Sequence, residues 1–266
     1  MTDAVRRIRA RNAATSSENR IHDDAVARQH GFAGGLVPGV TLYGYMTRPV
    51  VETLGEEWLE RGTMAVRFRR PVYEGQMVEA HARPGPEDAS LDVTLTGPDG
   101  VTCAAGGAGI DYGSGPPDPD GYPVAAAPGP DARPPADARS LAPGTPLATQ
   151  WLSPEDRHAA SYREVLEDDL DHYGPGRLAH PGHLILAANS ALSSTVRLGP
   201  WVHTDSEVTN FSSVAHEAVV EVRGRVDELF ERGGHRFVRL DLLWLSGDRP
   251  VMHARHDAIY ALRVAP

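Results

Sequence analysis

The chain has 266 residues, 41% hydrophobic and 23% charged, which suits one large domain or two small ones with a real core. A net charge of −10 argues against the basic face of a nucleic-acid binder, and no apolar run reaches the roughly 18 residues of a membrane helix. The opening "MTDAVRRIRARNAATSS" lacks the apolar stretch of a secretory signal and Cys103 is the single cysteine, so a reducing, cytoplasmic location is expected.

All 26 basic residues are arginine, which removes a Schiff-base lysine from the available chemistries. The first informative stretch is "SSENRIHDDAVARQHGFAGGLVPG", residues 16–39. Asn19 can cap a helix opening at Ile21, with Asp23 and Asp24 favoured in its first turn. A second, longer helix is predicted from Pro38 to about Leu54, with Val40, Tyr43, Met46, Val50 and Val51 at three-to-four spacing. Four strands follow at roughly 63–70, 76–83, 89–96 and 101–110, with "GPDG" (97–100) as a hairpin turn.

Residues 113–146 are dense in Pro, Gly and Ala and cannot pack a core of their own, so an extended, partly mobile linker is expected. "SPEDRHAASYREVLEDDLDHY" (153–173) reads as a helix, with Ser153 as its cap and Pro154 in its first turn. A further helix is predicted from Pro181 to about Val196, then strands at roughly 204–213, 218–228, 235–245 and 251–262.

The two sets are one module written twice. "LVPGVTLYGY" (36–45) matches "AHPGHLILAA" (179–188), with Pro38 and Pro181 143 residues apart; Phe68 and Phe211 repeat that offset. Ile110 and Ile259 are 149 apart, the extra residues falling at a longer hairpin around "LFERGGHR" (229–236). One long helix followed by an antiparallel sheet is an α+β module. The division expected is a first module at 1–112, a linker at 113–146 and a diverged second module at 147–266.

"NRIH" ahead of a helix, "GFAGGLVPG", a long helix and "FRRPVYEGQ" (68–76) together resemble the MaoC-like hydratase/dehydratase family. The resemblance covers about 16–112 and implies a double hot-dog: two antiparallel sheets, each wrapped round a long central helix, joined edge to edge. It also implies a lyase that adds or removes water beta to the carbonyl of an acyl thioester or related conjugated compound, without cofactor or metal. The carrier would be coenzyme A or a carrier protein, and the chain would be a monomer or homodimer.

Carried over by residue, His22 matches the catalytic histidine, Asn19 the motif's asparagine, and Gly39 the glycine whose N–H faces the carbonyl. Such chemistry needs a proton-transfer group near the reacting carbon and preorganised donors for the enolate, which a helix N-terminus supplies. Val40, Tyr43 and Arg48 on the central helix are further substrate-binding candidates; a buried Arg48 needs a carboxylate of protein or substrate. Ser17 stands where the family has its catalytic aspartate, and Glu18 or Asp23 are the possible substitutes.

The second module has Asp171, His172 and His180 but no Asn-x-x-His. "GPWVHTDSE" (199–207) adds Trp201 as packing and His203 as a minor site candidate, and "HARH" (253–256) places its end histidines on opposite strand faces. The missing aspartate leaves two alternatives open. One is an isomerase, Michael-type cyclase or thioesterase on the same scaffold; the other is a non-catalytic acyl-binding subunit.

Overall fold

The computed structural model describes residues 3–113, 115–153 and 164–263. Ten strands form one antiparallel sheet: β1 (Ala4–Arg9), β2 (Gly62–Phe68), β3 (Met77–Pro84), β4 (Ser90–Thr96), β5 (Thr102–Ile110), β6 (Pro146–Leu152), β7 (Val202–Asn210), β8 (Val220–Arg232), β9 (His235–Ser246) and β10 (Arg249–Ala261). Their order is β1-β3-β4-β5-β2-β7-β10-β9-β8-β6. Read outward from the centre, the two sides have the same connectivity. The seam is the β2–β7 pair, with Thr63 opposite Thr209 and Arg67 opposite Asp205.

The eight strands expected from the sequence are all present; β3 alternates, with Val78, Ala80 and Ala82 inward and their neighbours outward. The two edge strands were not foreseen. β1 reads AVRRIR and buries only Ile8 fully, so its apolar signal is too thin to register. β6 lies at the end of the Pro-rich stretch, and Trp151 on it is exposed.

The helices with both ends among the described residues are α1 (Asp24–Gln29), α2 (Gly39–Leu54), α3 (Glu56–Arg61) and α4 (Pro181–Thr195). α2 is apolar over most of its circumference and buries Tyr43, Tyr45, Met46 and Val50 against the sheet. Gly55 ends it with φ +72, a conformation glycine adopts without a Cβ clash, and its N–H returns to Val51 O. α2 and α4 meet where both are thin: a Cβ on Gly182 would stand 2.9 Å from the Gly44 Cα.

The segment between the two sets of strands is extended, with 3-10 turns at Pro119–Gly121 and Pro130–Ala132. It also packs against the body of the fold. Tyr122 is buried beside Leu243 and Leu245 and donates its hydroxyl to Asp241, 2.8 Å away. Arg133 donates to Ser193 O and pairs with Glu18. Leu141 is fully buried in the main core. A segment too poor in apolar residues for its own core thus borrows the main one. Leu141→Ala is expected to lower stability by about 2–5 kcal/mol, as a shift of the urea midpoint. A surface-like change below 0.5 kcal/mol would show that the linker does not contribute to the core.

Of the helix predicted for 153–173, residues 154–163 lie outside the described residues. Residues 164–166 are helical; Glu167 then takes φ +50 and 168–173 are not helical. There Asp168 and Asp169 turn toward Arg48 instead of continuing a helix.

Candidate functional site

A cavity of about 220 Å³ opens at the seam between the two sides. The first side supplies Asn19, Ile21 and His22, the Leu36–Gly39 turn into α2, and Phe68–Val72 after β2. The second supplies Asn189 from α4, Trp201–Thr204 at the start of β7, and His235.

Residues Arg20–His22 form one 3-10 turn rather than the opening of a longer helix; α1 starts at Asp24 with Asp23 as its cap. Asn19 caps the 3-10 turn through Ile21 N–H. It also holds both backbone groups of Trp201, accepting from its N–H at 3.2 Å and donating to its carbonyl at 3.0 Å. The asparagine therefore fastens the loop to the other side of the molecule.

His22 is 8% exposed, with Nδ1 2.7 Å from Leu36 O. A carbonyl only accepts, so Nδ1 carries the proton and Nε2 is bare. Asn19 Nδ2, 3.4 Å from Nε2, approaches it as a donor, consistent with the same tautomer. Burial pushes the His22 pKa below its ordinary value, partly offset by the Leu36 bond, so at neutral pH the ring is an uncharged base.

Asp24 Oδ1 accepts from Gly35 N–H at 2.8 Å, and the Asn12 amide donates to His22 O at 2.9 Å; together they fix the glycine turn beside the histidine. Gly39 opens α2 at the cavity wall. As the first helical residue it has no carbonyl one turn back, and among the described residues its N–H has no hydrogen-bond partner.

The other expected site residues fall elsewhere. Val40 and Tyr43 are buried in the core and do not line the cavity. Arg48 is bound by Glu52, Asp168 and Asp169, so its carboxylate partners are the protein's own. Glu18 pairs with Arg133, which holds its carboxyl below the usual range, and Asp23 accepts from Val26 N–H as the α1 cap. Ser17 bonds to Asn19 O. None of these three lines the cavity, and no carboxylate side chain does so among the described residues. No group of three metal-ligating side chains comes together there either.

No protein-family model matches the chain, and no curated protein matches its sequence. Solved structures do match over nearly full length. A conserved protein of Mycobacterium tuberculosis, described as a double hot-dog, is 16% identical and covers 97% of this chain and 96% of its own, with TM-score 0.62. The fold is a double hot-dog. A MaoC-like dehydratase is 14% identical over 98% of both chains, with TM-score 0.59. A protein assigned as an oleoyl thioesterase of Lactobacillus plantarum is 12% identical, covering 98% and 97%, with TM-score 0.56.

The two halves of this double hot-dog differ at their helix starts. In the second, His180 Nδ1 accepts from Gly182 N–H at 2.9 Å and its Nε2 bonds to Asp168, 3.0 Å away. That N-terminus is capped by its own side chain, and the space beside it is about 30 Å³. In the first, the equivalent N-terminus borders the larger cavity. Asn19, His22 and Gly39, candidates from the sequence, line this cavity; Asn189 and Thr204, which the sequence does not single out, join them there through the β2–β7 seam.

A Cβ at Gly39 would lie 2.5 Å from His203 Nδ1 and 3.0 Å from its Cγ. Gly39→Ala should therefore displace the His203 ring or the start of α2, lowering stability by about 1–3 kcal/mol in urea. Unchanged stability would mean that the contact relaxes freely.

Proposed function

We propose that this protein is a MaoC-like hydratase/dehydratase that adds or removes water beta to the carbonyl of an acyl thioester. The observation that carries this reading is His22: a buried imidazole with its tautomer fixed by Leu36, on a residue that lines a cavity bounded by a helix N-terminus. The similarity to a MaoC-like dehydratase and to a thioesterase assignment supports a thioester ligand.

In the dehydration direction, Nε2 takes the α-proton and the C–H electrons move into the carbonyl. The resulting enolate oxygen is stabilised by the Gly39 N–H and the positive end of α2. The imidazolium returns the proton to the β-hydroxyl as the C–O bond breaks, giving the enoyl thioester and water. One group acts first as base and then as acid, so no carboxylate is required beside it. Arg69 and Arg70 flank the cavity and suit the phosphate groups of a thioester carrier.

Thioester hydrolysis is the second reading, favoured by the thioesterase similarity. Both are tested in one incubation with 3-hydroxybutyryl-CoA. Growth of the enoyl-thioester absorbance without free thiol supports the lyase. Release of thiol replaces it with a thioesterase. Neither signal, with the ligand bound, leaves an acyl-binding protein; no binding removes the thioester reading.

A further inference from the structure

The second half contributes an imidazole that this reaction does not use. His203, at the start of β7, is 6% exposed and lines the cavity. Its Nε2 lies 3.1 Å from Asp205 O and 2.8 Å from Ser206 Oγ. The backbone carbonyl can only accept, so Nε2 carries the ring proton and Nδ1 is a bare acceptor.

A row of bonds holds that tautomer. Ser206 Oγ is 3.0 Å from His256 Nδ1, and His256 Nε2 is 3.1 Å from Asn189 Oδ1. With the Asn189 oxygen accepting, His256 donates to Asn189, Ser206 to His256, and His203 to Ser206; the amide orientation follows from this network. The His203 and His256 rings stack at 3.9 Å, which fixes the plane as well. Three side chains thus serve one nitrogen of His203, while the other has no hydrogen-bond partner. That Nδ1 lies against Gly39, where the absence of a Cβ leaves no side chain between it and the start of α2. A buried acceptor left unpaired costs stability, and a bound donor would remove that cost.

We infer that His203 Nδ1 is a ligand-binding acceptor that takes the hydrogen bond of the β-hydroxyl, and so selects 3-hydroxyacyl thioesters over plain acyl thioesters. The inference rests on the thioester reading above. The hydroxyl proton stays on the ligand; its donation to His203 leaves an oxygen lone pair free for the proton from His22. The selecting group and the proton-transfer group come from different halves of the chain.

The test uses the whole protein with ¹⁵N-labelled histidine, the His203 signals being assigned by their loss in His203→Phe. The free protein should show Nε2–H and a bare Nδ1; a proton on Nδ1 overturns the inference. With 3-hydroxybutyryl-CoA the Nδ1 resonance should move toward the protonated range, and with butyryl-CoA it should stay. Binding is followed separately by calorimetry. Binding without the shift overturns the inference alone, whereas no binding of either thioester overturns the thioester reading and the inference with it. His203→Phe should weaken 3-hydroxybutyryl-CoA roughly tenfold and leave butyryl-CoA unchanged. Ser206→Ala retains the Asp205 bond and should keep the preference for the hydroxylated ligand. Equal losses for both ligands in both variants would make His203 structural only.

Discussion

Replacing His22 by asparagine is expected to lower kcat on a 3-hydroxyacyl thioester by about 10²–10⁴-fold, with KM little changed. Asparagine is the informative choice because its amide nitrogen can stand where Nδ1 stands and still donate to Leu36 O, 2.7 Å from the native ring nitrogen. The turn should keep its shape while the atom that moves the proton is gone. The wild-type pH profile should agree. Activity needs the neutral ring, and burial lowers the His22 pKa, so the acid limb should fall below the ordinary histidine value of about 6.5. Full activity in His22→Asn would remove the residue from the chemistry. An acid limb displaced above 6.5 would mean that another group limits the rate.

The fold was legible because its signals are periodic. Eight strand-like runs stand between turn residues, two long helices begin at Pro-Gly, and the 143-residue offset joins the two sets. The edge strands were hidden because an edge needs little buried surface: β1 carries three arginines in six residues. Part of the site could be read because Asn19, His22 and Gly39 lie within one short stretch. The rest could not, because it depends on pairing across the seam. The β2–β7 register, with Arg67 opposite Asp205, places His203 and Thr204 at the cavity. Arg48 shows the reverse failure. A cation on a buried helix needs a partner, and Arg48 finds its carboxylates at residues 168 and 169, where the sequence predicts a continuing helix.

The buried histidines should make the protein sensitive to mild acid. Burial pushes His256 down to about 3; His203, buried and stacked on His256, is held well below its ordinary value, and His22 is lowered too. In the unfolded chain each titrates near 6.5. Above that pH neither state binds the proton and stability is unaffected. Below it the unfolded state takes up protons that the folded state refuses, so stability falls with pH until the folded pKa is reached. A group that stays unprotonated in the folded state contributes a slope of about 1.4 kcal/mol per pH unit, so His256 alone should cost about 2 kcal/mol between pH 6.5 and 5, and His203 adds to this in the same direction. Against the 5–15 kcal/mol typical of a folded domain, roughly, that is a large share. Carboxylates titrate mainly below this window, so the histidines dominate it. Urea unfolding at pH 7.5, 6 and 5 measures the slope. His256→Phe should be less stable at pH 7.5, having lost its bonds to Ser206 and Asn189, yet its stability should fall less steeply with acid, by about one proton's worth. Parallel slopes for the variant and the wild type would show that His256 takes up its proton in the folded protein, and with it that the row of bonds fixing His203 does not survive at pH 5.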